Sequence, residues 1–211
     1  IFDDGTPHAI RWKAGIGIQD IAPRGPAVAL GVSGDGVYTL GGTAFAFRWS
    51  EAAGLQEFFV TPDSAFAERS NRDGSIIVGR RTVYQSLVSR GMLWTARTGA
   101  VDFQDYAASR GVVFGPSVVR DVRVISRDGQ TLAGWAQPEG GGPDAHTAWV
   151  LRWPCAACPP DANCDGLVDQ LDLAAYTEAF ESGGSGADRN QDGFVDFFDY
   201  LAFLDDWEAG C

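Results

Sequence analysis

Two stretches near the C-terminus place oxygen-bearing side chains at a spacing that suits one kind of chemistry, the wrapping of a chain around a hard cation. The first runs Asp161, Ala162, Asn163, Cys164, Asp165, Gly166, Leu167, Val168, Asp169, Gln170, Leu171, Asp172. The second runs Asp188, Arg189, Asn190, Gln191, Asp192, Gly193, Phe194, Val195, Asp196, Phe197, Phe198, Asp199, and begins 27 residues later. Each offers oxygens at loop positions 1, 3, 5, 9 and 12 and a glycine at position 6, where a sharp turn is needed. Position 7, Leu167 or Phe194, would add a backbone carbonyl. Calcium takes six to eight oxygens in such a loop. The metal ligands expected are therefore Asp161, Asn163, Asp165, Leu167, Asp169 and Asp172, and then Asp188, Asn190, Asp192, Phe194, Asp196 and Asp199, for two Ca2+ ions.

The elements that must hold these ligands are helices. Gln170 to Glu181 carries Leu171, Leu173, Ala174, Ala175 and Phe180 and stops at Gly183-Gly184. Phe197 to Trp207 carries Phe198, Leu201, Ala202 and Leu204. Both read as helices that follow a loop. No helix is expected before either loop, because Pro154, Pro159 and Pro160 precede the first and Ser182 to Gly186 precedes the second. A domain this small buries little surface and needs staples. Its four cysteines, Cys155, Cys158, Cys164 and Cys211, allow three disulfide pairings, and a zinc site is the rival use for them.

Charge marks the boundary of this region. Residues 1–153 hold 15 acidic and 15 basic side chains, whereas residues 154–211 hold 13 acidic ones and a lone Arg189, so the net charge of −12 resides after Trp153. Two domains are expected, 1–153 and 154–211. An excess of this sign repels phosphate and anionic lipid, which argues against nucleic-acid and membrane-surface partners. No apolar run reaches the length of a membrane span.

The C-terminal loop-helix duplicate, with Asp at position 12 of each loop, resembles a dockerin. The Cys158-Pro159-Pro160-Asp161 opening and the Gly210-Cys211 ending resemble the GC-type dockerin. That resemblance implies a small α domain that attaches its protein to a cohesin-like receptor or the cell surface. It implies disulfides Cys158 with Cys211 and Cys155 with Cys164, and an extracellular, secreted location. It also implies that positions 10 and 11 meet the receptor; here these are Gln170, Leu171, Phe197 and Phe198, unlike the hydroxyl pairs common in cellulosomal dockerins. The competing expectation is that Leu171 and Phe198 fill the small core.

Residues 1–153 contain a repeat. Ser33-Gly34-Asp35-Gly36, Ser70-Asn71-Arg72-Asp73-Gly74 and Ser126-Arg127-Asp128-Gly129 are each followed five residues later by a glycine, Gly41, Gly79 or Gly134. A strand-like segment ending in Trp also recurs, at Trp12, Trp49, Trp94 and Trp153, with steps of 37, 45 and 59 residues. Asp-Gly between short apolar runs predicts tight hairpins of type I′, and about four short strands per unit predict propeller blades. The pattern resembles the HAF-type extracellular repeat of secreted bacterial proteins. The fold class expected is thus multidomain: about three blades of all-β, propeller-like structure, N-terminally incomplete and part of a longer protein, followed by the dockerin-like module. Turn chemistry is the expected role of Asp35, Asp73 and Asp128, and inter-blade core that of the four Trp residues. His8 and His146 are expected as surface polar residues. No nucleophile elbow, zincin or phosphate-loop motif is present, so the chain reads as non-catalytic. Alternatives are a structural subunit that assembles with copies of itself, and a carbohydrate-active enzyme or lectin.

Overall fold

The computed structural model describes residues 5–23, 25–58, 64–83, 88–142, 144–153, 159–163, 167–190 and 192–209. Among these residues the fold is mostly β, with three α-helices and one short 3-10 turn, Ser185–Ala187. The strands are β1 (Ile10–Lys13), β2 (Gly17–Asp20), β3 (Ala27–Val32), β4 (Thr39–Thr43), β5 (Ala46–Ser50), β6 (Gly54–Phe58), β7 (Ser64–Ser70), β8 (Ile76–Val83), β9 (Val88–Thr95) and β10 (Gly99–Asp102). After helix α1 (Phe103–Ala108) come β11 (Ser117–Ile125), β12 (Thr131–Pro138) and β13 (Thr147–Arg152), then helices α2 (Gln170–Glu181) and α3 (Phe197–Ala209). Every pairing is antiparallel. β1 and β2 form a hairpin, β3–β6 and β7–β10 are consecutive meanders joined through a short β4–β7 pairing, and β11–β13 form a third sheet.

The recurring Asp-Gly strings are the turns β3–β4, β7–β8 and β11–β12, and all three fold alike. The Asp carboxylate accepts the backbone N–H two residues on, from Val37, Ser75 and Gln130. The residue that opens the turn, Ser33, Asn71 or Ser126, accepts with its side-chain oxygen the N–H of Tyr38, Ile76 or Thr131. These are Asx and Ser turns, so turn chemistry is what one oxygen of each Asp does. The expected two-residue type I′ turn is replaced by a longer one: Gly36, Gly74 and Gly129 N–H reach back to Ser33, Asn71 and Ser126 carbonyls, and the loop closes between Ser33 and Tyr38 and their equivalents. Side chains that cap the turn's own N–H groups make this four-residue loop cheaper than a strained pair of positive-φ residues. The turns lie side by side, with Asp35 N–H bonded to Arg72 O and Arg72 N–H to Arg127 O, both at 2.9 Å.

The glycine five residues beyond each turn has a steric cause. A Cβ on Gly41, Gly79 or Gly134 would lie 2.1, 2.0 or 2.1 Å from the carbonyl oxygen of Val28, Phe66 or Asp121. Those carbonyls sit beside register shifts at Ala29/Gly31, Ala67/Arg69 and Val122/Val124. A bulge at one place in each hairpin presses backbone against backbone, and only glycine fits opposite.

Apolar cores lie between successive units. Trp49 packs on the cluster of Ala9, Ile21, Ala27 and Phe47; Trp94 packs on that of Leu40, Phe58 and Met92; Trp153 is buried with Phe103, Val119 and Leu132. Trp94 stacks on Phe58 at 5.4 Å. Trp12 departs from the expectation of core: it is 72% exposed. The other three each face the unit before their own, and among the described residues nothing covers Trp12.

Candidate functional site

The C-terminal segment folds around one aromatic pair. Tyr176 of α2 and Phe203 of α3 stack with ring centroids 4.0 Å apart and planes 2° from parallel, and both are buried. They stand at the same distance after the last residue of their loops. Leu173, Phe180, Val195, Tyr200, Leu204 and Trp207 pack around them. Polar ties close the unit: Tyr176 Oη donates to Ala187 O at 2.9 Å, Trp207 Nε1 donates to Asp169 O at 3.1 Å, and Arg189 donates to Asp206 Oδ2 and to Pro159 O.

Both loops deliver their last Asp into this core by the same hydrogen bonds. Asp169 and Asp196 cap their helices, accepting the N–H of Leu171 and Phe198 at 2.8 and 2.9 Å. Asp172 and Asp199 return the bond, each accepting through Oδ2 the N–H of the capping Asp and through Oδ1 the N–H of Asn163 or Asn190. This reciprocal box ties the start of each helix to the loop before it. In the second loop Asp188 Oδ2 accepts Gly193 N–H at 3.0 Å, and Asn190 and Asp192 accept the N–H groups of Asp192 and Phe194. Gly193 has φ +91°, so the glycine expected at position 6 is required there.

The two terminal carboxylates are both buried, yet titrate differently. Burial pushes Asp172 up to about 6, against the pull of the Asp169 and Asn163 N–H groups and with the charges of Asp161 and Asp169 adding to it. Asp199 is held below the usual carboxylate range, chiefly by the N–H of Asp196, with those of Asn190 and Arg189 acting with it.

The donor set, carboxylate and amide oxygens, suits a hard divalent cation by its chemistry. Asp188 Oδ1 is buried with no hydrogen-bond partner, a lone pair that a cation would satisfy. Among the described residues, no three carboxylate, imidazole or thiol groups gather closely enough to hold an ion by themselves. Asp161, Asn163, Leu167, Asp169 and Asp172 would serve the first loop, and Asp188, Asn190, Asp192, Phe194, Asp196 and Asp199 the second. Asp165 and the four cysteines Cys155, Cys158, Cys164 and Cys211, with the disulfides expected of them, lie outside the described residues.

The expectation that Leu171 and Phe198 fill the core is overturned. Leu171 is 38% and Phe198 68% exposed, with Phe197 at 64% and Gln170 also outside. The cause is helical phase: Asp172 must face inward, which turns Tyr176 inward with it and leaves position 11 on the far side.

Sequence reasoning missed two contacts. The first loop sits against the turns of the β repeat. Asn163 is 2% exposed, and its Nδ2 lies 3.4 Å from Asp73 Oδ2 and 3.5 Å from Ser75 Oγ. Glu178 of α2 pairs with Arg72 and Arg127 from two neighbouring turns. The second contact is at His8, whose Nδ1–H donates to Asp20 Oδ2 at 2.6 Å while Thr6 Oγ1 lies 3.1 Å from Nε2. His8 is therefore not a surface residue. Pro7 O and Ala9 O also accept backbone bonds from Ala27 and Ile21, so the cluster pins this strand-like segment beside β2 and β3.

No protein family, curated protein or solved structure matches this chain. Among the described residues, no helix is long and apolar enough to cross a membrane.

Proposed function

We propose that this is a secreted, non-catalytic protein in which two calcium ions complete a dockerin-like module, and that the module anchors a propeller-like β repeat to a cohesin-like receptor or another cell-surface protein. The observation that carries the reading is the repetition of one hydrogen-bond scheme in two loops 27 residues apart, down to the returned bonds of Asp172 and Asp199. The buried, unpartnered Asp188 Oδ1 supports a cation in the second loop. The receptor surface would be the exposed set at positions 10 and 11: Gln170, Leu171, Phe197 and Phe198.

Calorimetric titration of the EDTA-stripped, oxidised chain with calcium tests this directly. Two ions per chain are expected, with a rise in thermal stability, and Asp188→Ala should bind one. A chain that takes up no calcium would remove the reading. A second reading, self-assembly, is favoured by the apolar side chains at the two ends of the β array: Ile10, Trp12 and Ile18 on the first hairpin and Val150 on β13. Sedimentation velocity that shows a concentration-dependent increase in size would favour it over receptor anchoring.

A further inference from the structure

The three repeat turns are alike in fold but not in what they meet. The first reads Ser33-Gly34-Asp35-Gly36-Val37 and the third Ser126-Arg127-Asp128-Gly129-Gln130, whereas the middle one reads Asn71-Arg72-Asp73-Gly74-Ser75. Only the middle turn has Asn in place of the opening Ser, and a small hydroxyl residue after the glycine. Those two departures face the first loop of the C-terminal module. Asn71 and Ser75 are 2% and 6% exposed, and Asn71 Nδ2 donates to Ser75 Oγ at 2.9 Å. Asn163, at loop position 3, closes the cluster from the other side, its amide N–H groups directed at Ser75 Oγ and at Asp73 Oδ2. Asp73 divides its work: Oδ1 accepts Ser75 N–H within the turn, and Oδ2 faces across the junction.

The second loop holds its own position-3 amide from within. There the position-3 residue Asn190 donates its amide to Asp192 Oδ2, at 3.0 Å, within its own loop. Either way, an amide whose nitrogen is held by a carboxylate presents its oxygen in one direction, and that oxygen is the ligand the loop offers. Outer carboxylates of this kind commonly set the orientation and affinity of a metal ligand.

We propose that Asp73 of the β repeat is a positioning residue for the first calcium loop, so that calcium binding there and the seating of the module on the repeat turns are one linked equilibrium. The inference rests on the calcium reading above. Linkage is reciprocal: if the seated turn favours calcium, calcium favours the seated turn by the same factor. The Glu178 pairs with Arg72 and Arg127 hold α2 over the same turns, but they are exposed at both partners and contribute little by themselves.

The test is calorimetry on the full chain in the Asp188→Ala background, where only the first loop is left to titrate. Asp73→Asn keeps an oxygen for Ser75 N–H but sets an amide nitrogen against the Asn163 amide; Asp35→Asn removes the same charge from the neighbouring, equivalent turn. Affinity is expected to fall about tenfold for Asp73→Asn and to stay within about twofold for Asp35→Asn. Hydrogen exchange on the unmodified chain gives a second readout, with calcium slowing the amides of Ser75 and Ile76. Equal affinity in Asp73→Asn and its parent, an equal loss in Asp35→Asn, or no calcium effect on those amides would overturn the proposal. If the unmodified chain binds no calcium in either loop, the calcium reading itself fails and the proposal falls with it.

Discussion

The two C-terminal loops have one backbone scheme and two environments. Each ends in a buried Asp that accepts N–H groups from its own loop, and each helix contributes one ring to the Tyr176–Phe203 stack. The first loop, however, is pressed against the β repeat, with Asn163 2% exposed and Leu167 at 37%. The second faces outward, with Asn190 exposed and Phe194 at 72%. What differs is therefore not the ligand set but what surrounds it. A duplicated motif repeats one backbone scheme, and its neighbours then set how exposed and how readily protonated each copy is.

The largest effect should come from what the copies share. Phe203→Ala removes a fully buried ring from a core with few other members, at a cost of about 3–5 kcal/mol. A module so small has little more than that to lose. Both calcium sites are expected to vanish together in calorimetry, with the α-helical circular dichroism lost and the β signal kept. Retention of the first site alone would show that the sheet holds that loop without the shared core, and the comparison would then be one between independent sites.

A smaller effect should separate the copies. Asp172, pushed up to about 6, takes a proton as the pH falls through that value, and on the proposed reading calcium would have to displace it. Affinity at the first loop is expected to fall about tenfold between pH 7 and pH 5, because one proton competes across the window. Asp199 is held below its ordinary 3.8, so the second loop should not change over the same range. The metal-free fold has the opposite signs: a raised carboxyl binds its proton more tightly folded than unfolded, so Asp172 adds stability as the pH falls from about 6 toward 4. Asp199 adds stability above about 4 that is lost as the pH falls through its lowered value. Two-site titrations at pH 7 and 5 measure the split; a parallel loss at both loops would erase it.

Much of this was legible in the chain. Helices α2 and α3 begin at Gln170 and Phe197, where the loop-then-helix pattern put them, and the repeat Asp-Gly strings mark the three hairpin turns. Loop and turn signals are local, so spacing reveals them. The inward face of the helices was not legible from apolar pattern, since Leu171 and Phe198 are as hydrophobic as Leu173 and Tyr200. The phase is set by a polar residue, Asp172 or Asp199, whose place inside is fixed by loop hydrogen bonds. Nor was the seat of the first loop, because Asn163 and Asp73 lie 90 residues apart and neither residue type announces the other. The glycines of the repeat could be seen, but not the bulge that requires them.

The smallest effect on folding should come from the rim of the second loop, and there its smallness is the informative part. Phe197 and Phe198 are 64% and 68% exposed, while their counterparts in the first loop are a polar Gln170 and a Leu171 at 38%. Replacing an exposed side chain that makes no core contact changes stability by no more than about 0.5 kcal/mol. The double variant Phe197→Ser, Phe198→Ser is therefore expected to melt within about 2 °C of its parent and to bind both calcium ions unchanged. Two adjacent phenylalanines kept in water add little to folding and favour association, so the proposed reading gives them a use outside the module. Binding to a panel of purified cohesin domains, or self-association in sedimentation, should be lost in this variant and kept in the Gln170→Ser, Leu171→Ser pair. Equal losses would mean that both loops meet the partner, as the twofold likeness of their backbones permits. A melting point that drops with the phenylalanines would instead place those rings inside a contact of the fold, and the outward-facing copy would lose its distinction from the seated one.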